Sequence, residues 1–538
     1  MKICSNIVDI KNRNIYPACI SIEDGKISFI EKTEEKYTNY LLPGFIDAHI
    51  HIESSMLTPY EFSRLALTHG TVATVSDPHE IANVLGVEGI KFMIESSNKT
   101  PFKFYFGAPS CVPATPFETS GVILDSKSVQ KLLEQNNIYY LSEMMNFPGV
   151  LFKDKEVLEK IKLAKEQNKP IDGHCPDLKD DKLLAYIQAG ITTDHEAFSY
   201  EEAKEKIEKG MKILIREGSA AKNFEALSPL IKEYQNDLMF CSDDRHPDDL
   251  EKEHINSLVK RCIKKGYDLF DVLKIACINP IEHYNLDVGI LRVGDSADFI
   301  EVKDLENFEV VQTVINGEIL YCNSQIVLPK IEHTLLNNFH TNIKKLDDFK
   351  FKSDFKKIRV IEAIDGELIT KQSTYKTTTE FFESDIENDI LKIAVINRYE
   401  DKKPAISFVK GFGLKKGAIA SSVAHDSHNI IVVGCSDEEI LKAINCVIEN
   451  KGGIVCVDKN NLNVLPLSIA GIISDKQGFE VAQKYKELND FAKIKLGSSL
   501  NSPFMTLSFM ALLVIPEIKL SDKGLFDSNN FNFISSFC

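Results

Sequence analysis

Eight short apolar runs, separated by stretches with helical periodicity, constrain the fold of this chain more than any other feature. The runs are FIDAHIHI (45–52), TVATVSD (71–77), FKFYFGA (102–108), IYYLSE (138–143), PIDGH (170–174), ITTDH (191–195), KILIRE (212–217) and LMFCSD (238–243). Strands that alternate with helices form parallel sheets, and eight such units close into a barrel. The sequence therefore predicts an α/β fold with a (β/α)8 TIM-like barrel over residues 43–286.

Both flanks of the predicted barrel have β patterns. Before it, ACISI and KISFI surround the turn pair Asp24-Gly25, and after it VVQTVI and EILY surround Asn316-Gly317. Because the chain leaves a β-unit, builds a barrel and returns to β-structure, the economical interpretation is one small domain. We predict a small β-sandwich made of residues 1–42 and 287–328.

A third unit is predicted over residues 340–538. It contains apolar strands such as LKIAVI (391–396) and NIIVVG (429–434), and the amphipathic helix EEILKAINCVIEN (438–450). A chain of 538 residues exceeds the size at which one hydrophobic core stops growing, so several folding units are expected. The pattern predicts a C-terminal α+β domain.

Composition excludes several classes of protein. A formal net charge of −16 argues against a nucleic-acid partner, because such affinity depends on Lys and Arg neutralising phosphates. No apolar run reaches 18 residues and the N-terminus has no uninterrupted apolar core, so neither a membrane span nor a secretory signal is predicted. The 12 cysteines are scattered without a CxxC pair, which favours reduced thiols. We expect a cytoplasmic protein without disulfides.

The carboxyl ends of the predicted barrel strands, where a barrel of this type places its active site, carry side chains that bind metals. They are His49, His51, Glu143, His174, His195 and Asp243. Residues two apart on a strand face the same way, so His49 and His51 can bind one ion together. A lone strand-end histidine is more often a hydrogen-bonded structural residue. The joint arrangement of six such residues indicates a metal-dependent hydrolase.

A carboxylate from the fourth strand could bridge two ions. Glu143 would join the ion of His49 and His51 to a second ion held by His174 and His195. Two ions about 3.5 to 4 Å apart activate a water molecule and polarise the substrate. Asp243 would then take a proton from the water and return it to the leaving group, so Asp243 and Glu143 are the predicted catalytic residues.

Several motifs resemble a known family. LLPGFIDAHIHIESSM (41–56) is similar to the opening motif of the amidohydrolase superfamily, and its continuation IESSM resembles the bacterial adenine deaminases within it. Further stretches resemble the same group, namely SDPHEIANVLG (76–86), DGHCPDL (172–178), TTDHEAF (192–198), IREGSAAKN (215–223), CSDDRHPDDL (241–250), GDSADFIEV (294–302) and HDSHNI (425–430). The resemblance therefore covers nearly the whole chain.

The resemblance implies a function that composition and spacing do not reach. It implies a binuclear Mn²⁺ or Fe²⁺ centre with a glutamate bridge from strand four, and hydrolysis of adenine to hypoxanthine and ammonia in purine salvage. Imidazole and carboxylate ligands would also accept Zn²⁺. Many related barrels use a carbamylated lysine as the bridge, but YYLSEMMNFPG (139–149) contains no lysine, so Glu143 must serve.

Other polar residues near the strand ends are predicted to contact the substrate. They are Glu53, Ser54, Asp77, His79, Arg216 and Asp244. Each also has a structural interpretation. Glu53 and Ser54 could begin a helix, Asp77 could cap the helix after strand two, and Arg216 could pair with Glu217.

Two histidines lie outside the barrel, in HDSHNI. His425 and His428 have only polar neighbours in the sequence. We expect the C-terminal domain to cover the barrel mouth rather than to add a catalytic metal.

Three alternative functions stay open. A cyclic-amide hydrolase of the dihydropyrimidinase or dihydroorotase kind shares the barrel and the first motif, although the missing strand-four lysine counts against it. An amino-sugar deacetylase is a second enzyme of the same superfamily. A non-catalytic scaffold is a different class, but it would be free to lose ligands that this chain retains. A homodimer is the commonest assembly and is expected only on that ground.

Overall fold

The computed structural model describes residues 1–538. The chain begins with four strands of a small sheet: β1 (Lys2–Asp9), β2 (Asn14–Glu23), β3 (Lys26–Lys32) and β4 (Tyr40–Pro43). β1 and β2 pair antiparallel in a register that sets Cys4 opposite Cys19, and these two residues form a disulfide. The prediction of no disulfide is therefore wrong, because strand register brings together two cysteines that are 15 residues apart in the sequence.

Eight parallel strands follow and form the barrel. They are β5 (Phe45–Ile50), β6 (Thr71–Ser76), β7 (Lys103–Ala108), β8 (Ile138–Met144), β9 (Ile171–Gly173), β10 (Thr193–Asp194), β11 (Lys212–Arg216) and β12 (Leu238–Cys241). The strands pair in chain order, and Thr192 N–H donates to Ile171 O at 2.9 Å between the two sheet segments. The Asp243 N–H donates to His49 O at 2.9 Å and closes the circle. The predicted barrel and its eight strands are confirmed.

Helices cover the outside of these strands, which are buried on both faces as in other parallel sheets. The helices are α1 (Pro59–Ala66), α2 (His79–Leu85), α3 (Val87–Ser97), α4 (Ser126–Leu133), α5 (Phe147–Leu151), α6 (Lys155–Glu166), α7 (Asp180–Gln188), α8 (Tyr200–Glu208), α9 (Phe224–Leu227), α10 (Ile231–Tyr234), α11 (Pro247–Lys252), α12 (Ile255–Lys264), α13 (Leu269–Leu273) and α14 (Asn279–Tyr284). A 3₁₀ turn, Ile52–Ser55, directly follows His51. None of the helices is both long and apolar enough to cross a membrane.

The chain then returns to the first sheet, as the flanking patterns predict. The returning strands are β13 (Phe299–Val302), β14 (Val310–Ile315), β15 (Glu318–Cys322) and β16 (Gln325–Ile326). All eight flanking strands belong to one sheet in the order β16-β15-β14-β13-β4-β1-β2-β3. Antiparallel pairing of β4 with β13 joins the two ends of the barrel segment.

The C-terminal region is built on a second eight-stranded sheet. Its elements are β17 (Lys357–Ala363), β18 (Thr370–Lys376), β19 (Leu391–Ile396), β20 (Ala405–Lys410), β21 (Ala418–Ser421), β22 (Ile430–Gly434), α15 (Asp437–Glu449), β23 (Gly453–Val457), β24 (Leu462–Pro466), α16 (Gly478–Asp490), α17 (Pro503–Phe509), β25 (Ile518–Ser521), β26 (Gly524–Asp527) and β27 (Asn532–Phe533). Side chains alternate along β19: Ala394 and Ile396 pack with α15, whereas Ile393 and Val395 join the large core shared with the barrel.

The C-terminal domain lies across the barrel mouth. The Gly478 N–H at the start of α16 donates to the Glu61 carboxylate at 2.9 Å, and Tyr485 packs edge-on against His246 with ring centroids 4.8 Å apart. Asn429 donates to the Thr119 carbonyl at 2.9 Å. The predicted covering of the barrel mouth is thus observed. The effect of the C-terminal domain on the site depends on the side chains that it contributes.

Candidate metal-binding active site

The six residues predicted as ligands meet at one point inside the barrel mouth, around Glu143. Oε1 of Glu143 lies 3.2 Å from His51 Nε2 and 4.0 Å from His49 Nε2. Its second oxygen, Oε2, lies 2.8 Å from His174 Nδ1 and 3.3 Å from His195 Nε2. Each oxygen of one carboxylate therefore faces a separate pair of imidazoles, which is the geometry of a bridging ligand.

Asp243 completes the first imidazole pair. Its Oδ1 lies 3.1 Å from His51 Nε2 and 3.5 Å from His49 Nε2, while Oδ2 accepts a hydrogen bond from Arg216 at 2.6 Å. Burial alone would raise the pKa of Asp243, but Arg216 and the two histidines hold it well below its usual value. The carboxylate is therefore ionised and available to a cation.

The chemistry of these side chains fits a bound divalent cation. His49 is fully buried, yet neither of its ring nitrogens has a hydrogen-bond partner in the protein. An unpaired buried polar atom is costly, and a metal ion would satisfy it. His51 Nδ1 lies 3.2 Å from the Asp77 carbonyl, which directs Nε2 toward Glu143 in the way that second-layer hydrogen bonds orient metal ligands. These buried groups could hold a metal.

Glu196 is a site residue that the sequence analysis missed. It is buried, its Oε1 lies 3.4 Å from His195 Nε2, and its Oε2 accepts a hydrogen bond from Arg216 at 3.2 Å. Arg216 thus joins Glu196 to Asp243, and the alternative pairing of Arg216 with Glu217 is wrong. Glu217 instead contacts Arg261 at 2.8 Å. The position of Glu196, directly after His195 in TTDHEAF, was the available signal.

The residues after strand two take two different positions. The Asp77 carboxylate accepts from the His79 backbone N–H at 3.1 Å and lies 3.0 Å from His79 Nδ1. It therefore holds the start of α2 and the His79 ring. His79 itself reaches the cluster, with Nδ1 3.7 Å from Glu143 Oε1. Glu80, the next residue, points to the C-terminal domain, where it pairs with His425 and His428.

Glu53 and Ser54 are buried and form hydrogen bonds within the protein. Glu53 Oε1 accepts from the Ile81 N–H at 3.2 Å, and burial raises the pKa of its carboxyl to about 7. The Ser54 hydroxyl donates to Asp244, whose side chain lines the cavity next to the six predicted ligands. Asp244 was predicted to contact the substrate, and its position on the cavity wall is compatible with that prediction.

We call the cavity beside the predicted ligands the inner cavity, and its outer wall comes from the C-terminal domain. We call it the cover, and it consists of Leu368, His425, Asp426, Phe509, Leu512, Val514 and Ile515. The buried Lys519 ammonium ties two of its segments together, donating to the carbonyls of Leu368 at 2.6 Å and Phe509 at 3.0 Å. A larger outer cavity of about 1010 Å³ shares Met145, Glu196, Leu368, Val514 and Ile515 with the inner one.

Comparison with known proteins assigns the family. The model of the amidohydrolase family matches residues 40–320, and that of the adenine deaminase C-terminal domain matches residues 367–532. The chain belongs to the amidohydrolase family. The first match spans the barrel and reaches into β15 of the small sheet, and the second includes every segment of the cover. Metal dependence of the family agrees with the cluster of buried imidazoles and carboxylates.

Relatives of this amidohydrolase align over their full length. An adenine deaminase from Sulfurovum sp. (strain NBC37-1) is 59% identical and covers 100% of this chain and 99% of its own length. Adenine deaminases from Borreliella afzelii and Methanosarcina mazei are 53% and 52% identical, each over 99% of this chain. They cover 99% and 98% of their own lengths.

Proposed function

We propose that this amidohydrolase converts adenine and water to hypoxanthine and ammonia. The observation that carries the proposal is the Glu143 carboxylate, shared between the His49/His51 pair and the His174/His195 pair. The names of relatives that match the whole chain support adenine as the substrate. Cyclic-amide hydrolysis and amino-sugar deacetylation are not favoured by those relatives.

Two divalent ions, Mn²⁺ or Fe²⁺ with Zn²⁺ as a further candidate, are the proposed cofactors. His49, His51 and Asp243 would hold one, His174 and His195 the other, and Glu143 would contact both. When bound, such ions activate water and polarise the substrate. The nitrogen and oxygen donors suit all three metals, so the donor set alone does not select among them.

The protein side chains would then transfer protons. In the net reaction the water oxygen bonds to purine C6 and the bond from C6 to the amino nitrogen breaks. One proton of the water remains on the purine ring and the other leaves with ammonia. We propose that Asp243 accepts a proton from the attacking water and passes it to the leaving amine, because the amine leaves poorly until it is protonated.

Neighbouring residues position Asp243 and the substrate. Arg216 holds Asp243 Oδ2 and also Glu196, so Oδ1 stays directed toward the histidines. Among the residues predicted to contact substrate, His79, Arg216 and Asp244 line the inner cavity. Arg216 is paired with two carboxylates, and we propose that His79 and Asp244 touch the purine. Glu53, Ser54 and Asp77 would not touch the purine. They would position Ile81, Asp244 and His79, respectively.

An assay of the metal-loaded protein tests the proposal. Adenine should release equal amounts of hypoxanthine and ammonia, whereas dihydrouracil and N-acetylglucosamine 6-phosphate should not react. Turnover of either of the last two, with none of adenine, would favour the corresponding alternative enzyme. Elemental analysis of the same preparation should find two ions per chain, and a metal-free protein without any turnover would favour the scaffold.

A further inference from the structure

We propose that His425, from the C-terminal domain, donates a hydrogen bond from Nε2 to a ring nitrogen of the bound purine. The cover would then supply a polar substrate contact in addition to closing the cavity. This inference rests on the proposed function, because it concerns how the same site binds adenine.

The surroundings of His425 leave one ring nitrogen for a ligand. The residue lines the inner cavity and is only 3% exposed. Its Nδ1 is paired with the Glu80 carboxylate, and its ring stacks on Phe509 with centroids 5.1 Å apart. Nε2, on the other edge of the ring, has no hydrogen-bond partner in the protein. The imidazole is therefore fixed on two sides, and its remaining nitrogen is buried and unpaired.

The charge of this imidazole decides what it would bind. Burial lowers the pKa of His425, but the carboxylates of Glu80 and Asp244 outweigh this effect and raise it to about 9. The ring is thus an imidazolium at neutral pH, and both of its nitrogens donate hydrogen bonds. A buried N–H without an acceptor is costly, so the site calls for a ligand atom with a lone pair. Purine ring nitrogens are neutral acceptors of this kind.

The position of His425 relative to the metal cluster also suits a purine. Glu80 Oε1, which His425 contacts, lies 3.8 Å from His79 Nε2, and His79 Nδ1 lies 3.7 Å from Glu143 Oε1. The imidazole ring of His79 therefore lies between Glu80, the carboxylate partner of His425, and Glu143, the proposed bridging ligand. Addition of water at C6 increases the negative charge on the ring nitrogens. A cationic donor at one of them would hence bind the transition state more strongly than adenine itself.

His428 provides a matched control within the same structure. It is buried like His425, and its Nε2 pairs with the second oxygen of Glu80. It does not line the inner cavity. A substitution there disturbs Glu80 and the same loop without removing a group from the cavity wall. The two histidines thus separate a substrate contact from a general effect on the loop.

The experiment compares His425→Phe, His425→Gln and His428→Phe in the full-length, metal-loaded protein. Phe keeps the ring against Phe509 but has no donor, whereas Gln keeps an N–H. A hydrogen bond from a charged donor is worth about 1.5 to 3 kcal/mol, so His425→Phe should lower kcat/KM for adenine about 10- to 150-fold. Gln should restore part of the loss, and His428→Phe should stay within about threefold of wild type. Metal content should be equal in all four proteins.

Inhibition by 1-deazaadenine, 3-deazaadenine and 7-deazaadenine identifies the acceptor. The analogue that lacks the contacted nitrogen should inhibit wild type and His425→Phe equally, while the other two should weaken in the variant. Equal weakening of all three, or a His425→Phe kcat/KM within about threefold of wild type, would overturn the contact. Loss of activity as large in His428→Phe would do the same. Absence of adenine turnover in wild type would instead refute the proposed function, and this inference with it.

Discussion

The two walls of the inner cavity are built in different ways. The barrel wall presents imidazoles and carboxylates from the ends of five of the eight barrel strands, β5, β8, β9, β10 and β12. The cover presents mainly apolar side chains, with His425 and Asp426 as its polar members, from three segments that are far apart in the sequence. On this basis we propose that the barrel wall would hold the reacting groups, while the cover would exclude water and contact the substrate.

The largest expected effect is on the barrel wall, at the bridging carboxylate. Glu143→Ala should fold, bind much less metal and lose the most activity, because two cations would face each other without their shared anion. Glu143→Gln keeps one oxygen and should hold an intermediate amount of metal. Elemental analysis and kcat on the same preparations measure both effects. Two ions per chain at wild-type affinity in Glu143→Ala would show that Glu143 is not the bridge.

Asp243→Asn tests whether the barrel wall also moves the protons. Asn keeps the size of the side chain and an oxygen for the metal, but it cannot accept and return a proton. We expect substantial metal content and a loss in kcat on adenine of about 10² to 10⁴. Near-normal kcat with full metal would refute the proton transfer. A lower melting temperature with kcat within a few-fold of wild type would make Asp243 structural.

The ion pairs of Arg216 are expected to stabilise the folded protein at the barrel wall. It is fully buried and pairs with both Glu196 and Asp243, so Arg216→Met would leave two buried carboxylates without their cation. Removing one partner of a buried ion pair costs about 3 to 5 kcal/mol of unfolding free energy. Urea unfolding of the metal-free protein measures this, and Arg216→Lys, which keeps the charge, should lose less. Equal stability of Arg216→Met and wild type would argue against the pairing.

The smallest effect is expected at Lys519, which links two segments of the cover. Burial lowers the pKa of this ammonium to about 7, so between pH 7 and its ordinary value of 10.5 the unfolded chain binds a proton that the folded chain does not. The stability of wild type relative to Lys519→Met should therefore rise with pH across that range, by at most about 1.4 kcal/mol per pH unit. Urea unfolding at pH 7.5, 8.5 and 9.5 tests this. Parallel pH curves for the two proteins would contradict it.

The barrel wall could be predicted from the sequence because strand periodicity determines which residues reach the mouth. Seven of the eight strands lie within the predicted runs and β8 extends one residue beyond its run, and the six predicted ligands, His49, His51, Glu143, His174, His195 and Asp243, converge as their strand ends require. Their roles as ligands stay predictions. Glu196 was missed because the side-chain direction just beyond β10 depends on the loop, and not on the strand.

The cover could not be predicted at the level of residues. Leu368, His425 and Val514 are separated by dozens of residues, and no local pattern shows that they meet over the barrel. The pairing of His425 with Glu80 joins positions 345 residues apart and depends on how two domains dock. The disulfide between Cys4 and Cys19 was missed for a related reason, since it depends on the register of two strands. The periodicity of the sequence therefore does not predict contacts between distant segments.

The order of these segments along the chain has a consequence for biosynthesis. The last proposed ligand, Asp243, precedes the first cover residue, Leu368, by more than a hundred positions. At about 5 to 20 residues per second, a ribosome needs on the order of ten seconds to synthesise that interval. During this time the residues of the barrel wall have been synthesised and those of the cover have not. An ion that bound in this interval would reach the site before the cover exists, and the finished cover would then slow its escape.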